Sequence, residues 1–312
     1  MSLISILVAG SINMDIVSYV YKHAVPGETV QALRTEHHAG GKGANQAMAA
    51  MRSGASVTMI GAVGNDATGK SLLQELQQGG FSTGHICEKV GLSGMAFITV
   101  DKAGENQIVL SSGANAELTI QDLEMAFSDT AAFHGVRMLL LQNEIPWELN
   151  AYLIQTARRL GINTVFNPAP ALNITPEMLR QLNTLILNET EIAAITNRQI
   201  DSYVQAEEAV KEIAALGVNE VILTMGGEGS LYYNGEGRLI RTKAFSVPTV
   251  DTTAAGDTFI GAFAAASCTD MEVEERLRFA TAAAALTVSR QGAQISIPLR
   301  SETVDFLSST AF

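Results

Sequence analysis

The chain has 312 residues, 47% of them hydrophobic, and 20 basic against 32 acidic residues leave a formal net charge of -12. That size and apolar content fill a sizeable core and exclude a disordered or fibrous chain. The acidic balance, with no Lys/Arg cluster, argues against nucleic acid or an anionic membrane as the main partner. Cys87 and Cys268 stand far apart and outside any CxxC or Cys/His pattern, so neither a disulfide framework nor a structural zinc site is indicated, and a reducing, cytoplasmic setting fits. No apolar run is long enough to span a bilayer.

The start, Leu3-Ile4-Ser5-Ile6-Leu7-Val8-Ala9-Gly10, has no basic residue before it and is too short for a secretion signal, so it reads as a first β-strand. Asp15 to His38 then breaks the regular pattern before a helix opens near Ala39-Gly40-Gly41-Lys42 and runs through Met51. A strand over Val57-Thr58-Met59-Ile60 follows, and another helical pattern begins at Ser71. Ser93 to Ser111 is the second interruption: Ala96 to Val100 and Gln107 to Leu110, joined by a polar turn with Gly104, read as a hairpin. Beyond it, strands over 138–141, 164–166, 184–187 and 221–224 alternate with helices such as Ala151 to Leu160 and Val204 to Leu216.

Most of these strands are apolar on both faces. That pattern predicts an α/β fold with a mostly parallel central sheet covered by helices on both faces, a Rossmann-like arrangement that binds ligand at the strands' carboxyl ends. The two interruptions are expected to form a small β-sheet lid beside it. The chain thus divides into a core of residues 1–14, 39–92 and 112–312 and a lid of residues 15–38 and 93–111.

The segment from Val250 to Phe263 carries the most chemistry. After Asp251 the residues are small, and from Gly256 onward an apolar helix begins, so the free N–H groups of its first turn face outward. A helix N-terminus with unpaired donors attracts a phosphoryl group. Asp257 beside it can accept the proton of an attacking hydroxyl; the plainer reading is a helix-capping acid. Near the start, Asn13 and Asp15 lie two residues apart and suit vicinal hydroxyls, or else serve a turn. Gly40-Gly41-Lys42-Gly43-Ala44-Asn45 brings N–H groups, an ammonium and an amide to one helix opening. In Asn188-Glu189-Thr190-Glu191, Glu191 can reach the water shell of a nucleotide-bound magnesium, or simply mark a helix entry. A lid of the expected kind would keep water from taking the phosphoryl group.

Gly64-Asn65-Asp66-Ala67-Thr68-Gly69-Lys70-Ser71 satisfies the Walker A pattern and lies between a strand and a helix. No clean aliphatic strand ending in Asp supplies its partner, so a P-loop NTPase using Lys70 and Ser71 is kept as an alternative. A silent sugar-binding regulator is a further one, disfavoured by the intact Gly256-Asp257 pair.

Gly41-Lys42-Gly43-Ala44-Asn45, Asn188-x-x-Glu191 and Asp251-Thr252-Thr253-Ala254-Ala255-Gly256-Asp257, in this order and spacing, resemble the ribokinase family of sugar and nucleoside kinases over nearly the whole chain. Ser11-Ile12-Asn13-x-Asp15, Asn167-Pro168-Ala169-Pro170 and Arg290-x-Gly292-Ala293-Gln294 add to it. In this family Gly61 to Gly69 is a Gly-rich connection and not a nucleotide cradle. The resemblance implies a ribokinase-like fold and an ATP-dependent kinase of D-ribose at its O5 hydroxyl, with deoxyribose, fructose or pseudouridine as other substrates to weigh. It implies that Asn13, Asp15, Gly41, Lys42, Gly43, Ala44, Asn45 and Glu144 hold the sugar, that Asp257 is the base, and that Ala254, Ala255 and Gly256 form an anion hole. ATP is implied at Asn188, Thr224, Met225, Gly226, Gly227, Glu228, Gly229, Gly256 and Thr281, the last replacing a His found near the adenine in some members. Glu191 would influence Mg2+ through water. K+ would lie by Asp251, Thr253, Thr287, Arg290, Gly292 and Ser296, mostly on backbone carbonyls. A homodimer through the lid is also implied. Met14, His37, His38 and Trp147 are read as lid or packing residues.

Overall fold

The structure, a computed structural model, describes residues 5–128 and 135–310; Leu3 and Ile4, expected at the start of the first strand, lie outside them. A nine-stranded sheet is built from β1 (Ser5–Ala9), β4 (Ser56–Gly64), β5 (Ile86–Lys89), β8 (Val136–Gln142), β9 (Asn163–Asn167), β10 (Thr184–Asn188), β11 (Glu220–Thr224), β12 (Ser230–Asn234) and β13 (Leu239–Thr242). Its order is β13-β12-β11-β10-β9-β8-β1-β4-β5. Pairing is parallel from β11 to β5, while β12 and β13 extend one edge antiparallel.

The doubly apolar strands have a direct cause. Ile6 and Val8 of β1, Met138 and Leu140 of β8, Ile186 and Ile222 all join one core cluster, with Ala44, Ala47, Phe259 and Phe263. Their neighbours Leu7 and Ala9, Leu139 and Leu141, Leu185 and Leu187 join a second cluster with Leu149, Leu153, Val210 and Ile213. Alternate residues point to opposite faces, so a sheet with helices on both sides needs apolar residues at every position.

Four further strands, β2 (Asn13–Val20), β3 (Ala32–Gly40), β6 (Gly94–Val100) and β7 (Asn106–Ser111), form a separate sheet in the order β3-β2-β6-β7. Leu33, Phe97, Ile108 and Val109 on it are exposed. Met14 is buried at its root, His38 lies beside Glu36, and Trp147 packs edge-on against Phe166 in the core.

The chain runs from β1 outward to β4 on one side and from β8 to β11 on the other, so β1 and β8 flank the point where the strand order reverses. A crevice opens there at the carboxyl ends. The helix Lys42–Arg52 starts directly over it: Gly41 has a φ of 89°, and a Cβ on Gly43 would lie 2.5 Å from the Gly10 carbonyl carbon. The helix Ala255–Ser267 packs closely against it through Gly261, where a Cβ would meet the Gln46 carbonyl oxygen at 2.4 Å.

Candidate active site

Two crevice walls come from the ends of β1 and β8. The Ser11 hydroxyl donates to Glu144, just after β8, and Glu144 also accepts from the Lys42 N–H at 3.4 Å. Asn13 and Asp15 are successive same-face residues of β2, both buried. Gly40 leaves room for Asp15: a Cβ there would lie 2.1 Å from its carboxylate.

Asp257 sits in the first turn of the Ala255–Ser267 helix without capping it. Ala254 precedes the helix in the left-handed region, φ 60°, with no side-chain cap. The Asp257 carboxylate instead accepts from Asn45 Nδ2 at 3.2 Å and from Gln46 Nε2 at 2.9 Å. Behind it lies a buried amide chain. Gln142 Nε2 donates to Gln46 Oε1 at 2.7 Å, Gln46 Nε2 also donates to Asn167 Oδ1 at 3.3 Å, and Asn167 Nδ2 donates to Ile186 O and Glu191. Glu191 is a helix-entry acid: it accepts from the Asn188 N–H at 3.0 Å and donates its own N–H to Asn188 Oδ1.

Four carboxylates thus surround one ammonium. Burial works against the Lys42 charge, but Asp257, Glu144, Glu191 and Asp15 together hold its pKa above the usual lysine range. Burial, aided by Glu144 and Asp257 and opposed by Lys42, pushes Asp15 up to about 7. Burial likewise raises Glu144 against the pull of Lys42 and Ser11, and raises Glu191 against the Asn188 N–H and Lys42.

From Lys42 and Asp257 a cavity of about 860 Å³ opens along the ends of β10 and β11, a size suited to a nucleotide. Asn188, Thr224, Gly226, Gly227, Gly229, Gly256, Glu191 and Thr281 line it, as do Ala254 and Ala255. Two expected nucleotide contacts do not. Met225 is buried in the core, and Glu228 faces outward, its carbonyl accepting from the Tyr203 hydroxyl. The stretch Gly226–Glu228 is a 3-10 turn, which rotates by about a third of a turn per residue, so a contiguous run does not all face one ligand. Within the expected anion hole, the Ala255 N–H reaches the Thr252 carbonyl at 3.2 Å. Thr281 donates its hydroxyl to Leu277 O. Asn106, at the start of β7, also lines the cavity, a contribution from the small sheet that its position in a polar turn did not suggest.

Of the positions expected around K+, Asp251 accepts from the N–H and hydroxyl of Thr253 at 2.9 and 2.6 Å and from the Gly292 N–H at 2.9 Å. These donors hold its carboxyl below the usual range even though burial raises it. Thr287 and Ser296 are buried, their hydroxyls bonded to Ala283 O and Ala293 O. Arg290 points elsewhere and pairs with Glu302 at 2.6 Å.

The Walker-like stretch makes no cradle. Asp66 caps the helix Ala67–Gln78 by accepting from the Gly69 N–H at 2.7 Å, the Gly64 N–H goes to Ser93 Oγ, and the Asn65 N–H goes to Lys89 O. Lys70 is exposed. The N–H groups of Gly64, Asn65 and Gly69 are thus bonded within the protein.

Residues 3–300 match the family model described as pfkB family carbohydrate kinase. The chain belongs to the pfkB family of carbohydrate kinases. This carbohydrate kinase is 38% identical to the ribokinase of Haemophilus influenzae over 97% of its own length and 98% of the relative's. It is 33% identical to a deoxyribokinase of Salmonella typhimurium over 97% and 98% of the two chains. The structure of Arabidopsis thaliana ribokinase complexed with ribose and ATP superposes with a TM-score of 0.88 at 30% identity, covering 99% of this chain and all of that one.

Proposed function

We propose that this carbohydrate kinase transfers the γ-phosphoryl group of ATP to O5 of D-ribose. The observation that carries the reading is the place of Asp257: its carboxylate is held by Asn45 and Gln46 on the crevice side and faces the nucleotide-sized cavity on the other. The sugar lies among Asn13, Asp15, Lys42, Asn45 and Glu144. Asp257 takes the proton of the primary hydroxyl as its oxygen attacks the γ-phosphorus in line, and ADP leaves. The N–H groups that follow Ala255 in the first turn of the Ala255–Ser267 helix receive the charge that builds on the phosphoryl oxygens.

The donor chemistry also suits two ions. Glu191, a carboxylate on the cavity wall, fits the water shell of Mg2+ carried in with ATP, which neutralises phosphate charge. Asp251 and Thr253 offer hard oxygen donors behind the helix start, as a K+ ion needs. Because Asp251 also orders the Thr252–Ala255 turn, that ion would tune the anion hole from behind. The exposed Leu33, Phe97, Ile108 and Val109 of the small sheet support its role as a lid that pairs with a second copy. A cytoplasmic setting accords with the acidic, cysteine-poor chain, and no helix among the described residues is long and apolar enough to cross a membrane.

The test is ADP release with Mg-ATP over ribose, 2-deoxyribose, fructose and pseudouridine, in potassium and again with sodium in its place. Ribose-selective turnover stimulated by potassium supports the reading. Preference for 2-deoxyribose moves the substrate to the Salmonella-like alternative.

A further inference from the structure

Asn115 lies outside the crevice wall, in the 3-10 turn Gly113–Glu117 that follows β7, and is buried. Its hydrogen bonds settle the orientation of a second amide. The Ile12 N–H can only donate, so the Asn115 atom 3.0 Å from it is the acceptor Oδ1. Asn115 Nδ2 therefore faces Ile12 O at 3.2 Å and Asn13 at 2.7 Å, and the Asn13 atom it meets is Oδ1. The pair is packed closely against β6: a Cβ on Gly94, the register partner of Asn13, would lie 2.2 Å from Asn115 Nδ2 and from Asn13 Oδ1. Asn13 Nδ2 is left for the crevice, on the face it shares with Asp15.

We infer that Asn115 is a positioning residue for substrate recognition: it holds Asn13 with only its N–H side toward the sugar. Asn13 then donates to one hydroxyl oxygen while Asp15 accepts from its neighbour. A donor beside an acceptor matches a vicinal diol, whose two hydroxyls can each play the complementary part, and a sugar lacking one of them leaves a buried polar group unpaired. This inference rests on the ribose reading for the identity of the diol, but not for the Asn13–Asn115 coupling.

Asn115→Asp keeps the acceptor for the Ile12 N–H and removes the donor. Two oxygens would then face each other, and Asn13 turns its amide to satisfy the new carboxylate, presenting Oδ1 to the sugar. The expected result is a rise in the sugar KM of about tenfold or more with kcat changed far less. Asn13→Asp, which leaves the Asn115 bond intact and removes only the N–H offered to the sugar, should show the same defect without touching the turn. The deciding measurement is a double-mutant cycle: in an Asn13→Ala background, Asn115→Asp should add little further cost. It is run on whichever sugar the wild type turns over best. Additive penalties, or an unchanged KM in Asn115→Asp, overturn the positioning role alone. A wild type that does not use ribose overturns the ribose reading alone.

Discussion

Gln46 donates its side-chain amide to Asp257 across 2.9 Å, although the two residues stand on different helices more than two hundred positions apart in sequence. The contact exists because Gly261 lets the Ala255–Ser267 helix press against the backbone of Gln46 itself. Gln46 is fully buried, and its side-chain oxygen Oε1 is fixed by Gln142 Nε2. The Asp257 carboxylate is thus aimed by a fully buried amide that is itself held in place.

Gln46→Met fills nearly the same volume and removes both polar ends. The carboxylate then keeps only the 3.2 Å bond from Asn45, and misplacement on the order of 1 Å costs about 10²-fold in rate. Steady-state kinetics should show kcat falling by 10- to 100-fold while the sugar and ATP KM values stay within a few-fold. A matching loss in both KM values with unchanged kcat would show that Gln46 shapes the pocket and does not aim the carboxylate.

Asp257→Asn tests the base itself. Removing the proton acceptor should lower kcat on the order of 10²- to 10⁴-fold, while calorimetric titration still detects ATP and sugar binding. Turnover near the wild-type level would remove Asp257 from that role.

Much of the fold is legible in the sequence, for reasons that differ by residue. Strands such as Leu139-Leu140-Leu141 announce a sheet covered on both faces because every position is apolar. Asp257 and Lys42 sit in short motifs whose chemistry is local. Gln46 and Gln142 gave no signal, since a buried glutamine in a helix or strand looks like any polar residue until its partner is known. Asn115 was equally silent, because its meaning lies in a contact across 102 positions. The antiparallel edge of β12 and β13 carries a weaker signal, because its strands are only partly buried. Met225 and Glu228 fall outside the cavity lining, because a glycine-rich string does not reveal which of its residues border a cavity.

Lys70→Ala separates the crevice from the Walker-like stretch. Lys70 is exposed, and the amides around it are committed to Asp66, Ser93 and Lys89. Turnover should stay within about twofold of wild type, as is normal for a surface change. Abolished nucleotide turnover would revive the P-loop reading.

Asp15 links the site to stability. Its carboxyl is pushed up to about 7 by burial and by Glu144 and Asp257, with Lys42 pulling the other way. Between the unfolded value near 3.8 and about 7, the folded protein without sugar binds more protons than the unfolded chain. Stability from this group is therefore present at low pH and lost as pH rises through that window. Asp15→Asn removes the penalty. Thermal denaturation should show the variant gaining a few degrees over wild type at pH 8 and about a quarter of that at pH 4.5, at the cost of sugar binding. An equal gain at both pH values would mean that ionisation of Asp15 is not its source.

Gly256 separates the needs of the fold from those of the reaction. A Cβ added there would meet nothing within 4 Å, and its φ lies outside the left-handed region. The residue stands in the first turn of the Ala255–Ser267 helix, where alanine is intrinsically the better helix former by up to about 1 kcal/mol. Gly256→Ala should therefore leave the melting temperature unchanged or slightly raised. Yet Gly256 lines the cavity, and on the proposed reading the added methyl stands where the phosphoryl group approaches the N–H groups of that turn. Loss of one such donor contact costs roughly 10²- to 10³-fold in kcat, so a stable, nearly inactive enzyme is expected. If the variant keeps wild-type kcat, the phosphoryl group does not pass over Gly256, and the anion hole has to be sought elsewhere along the cavity.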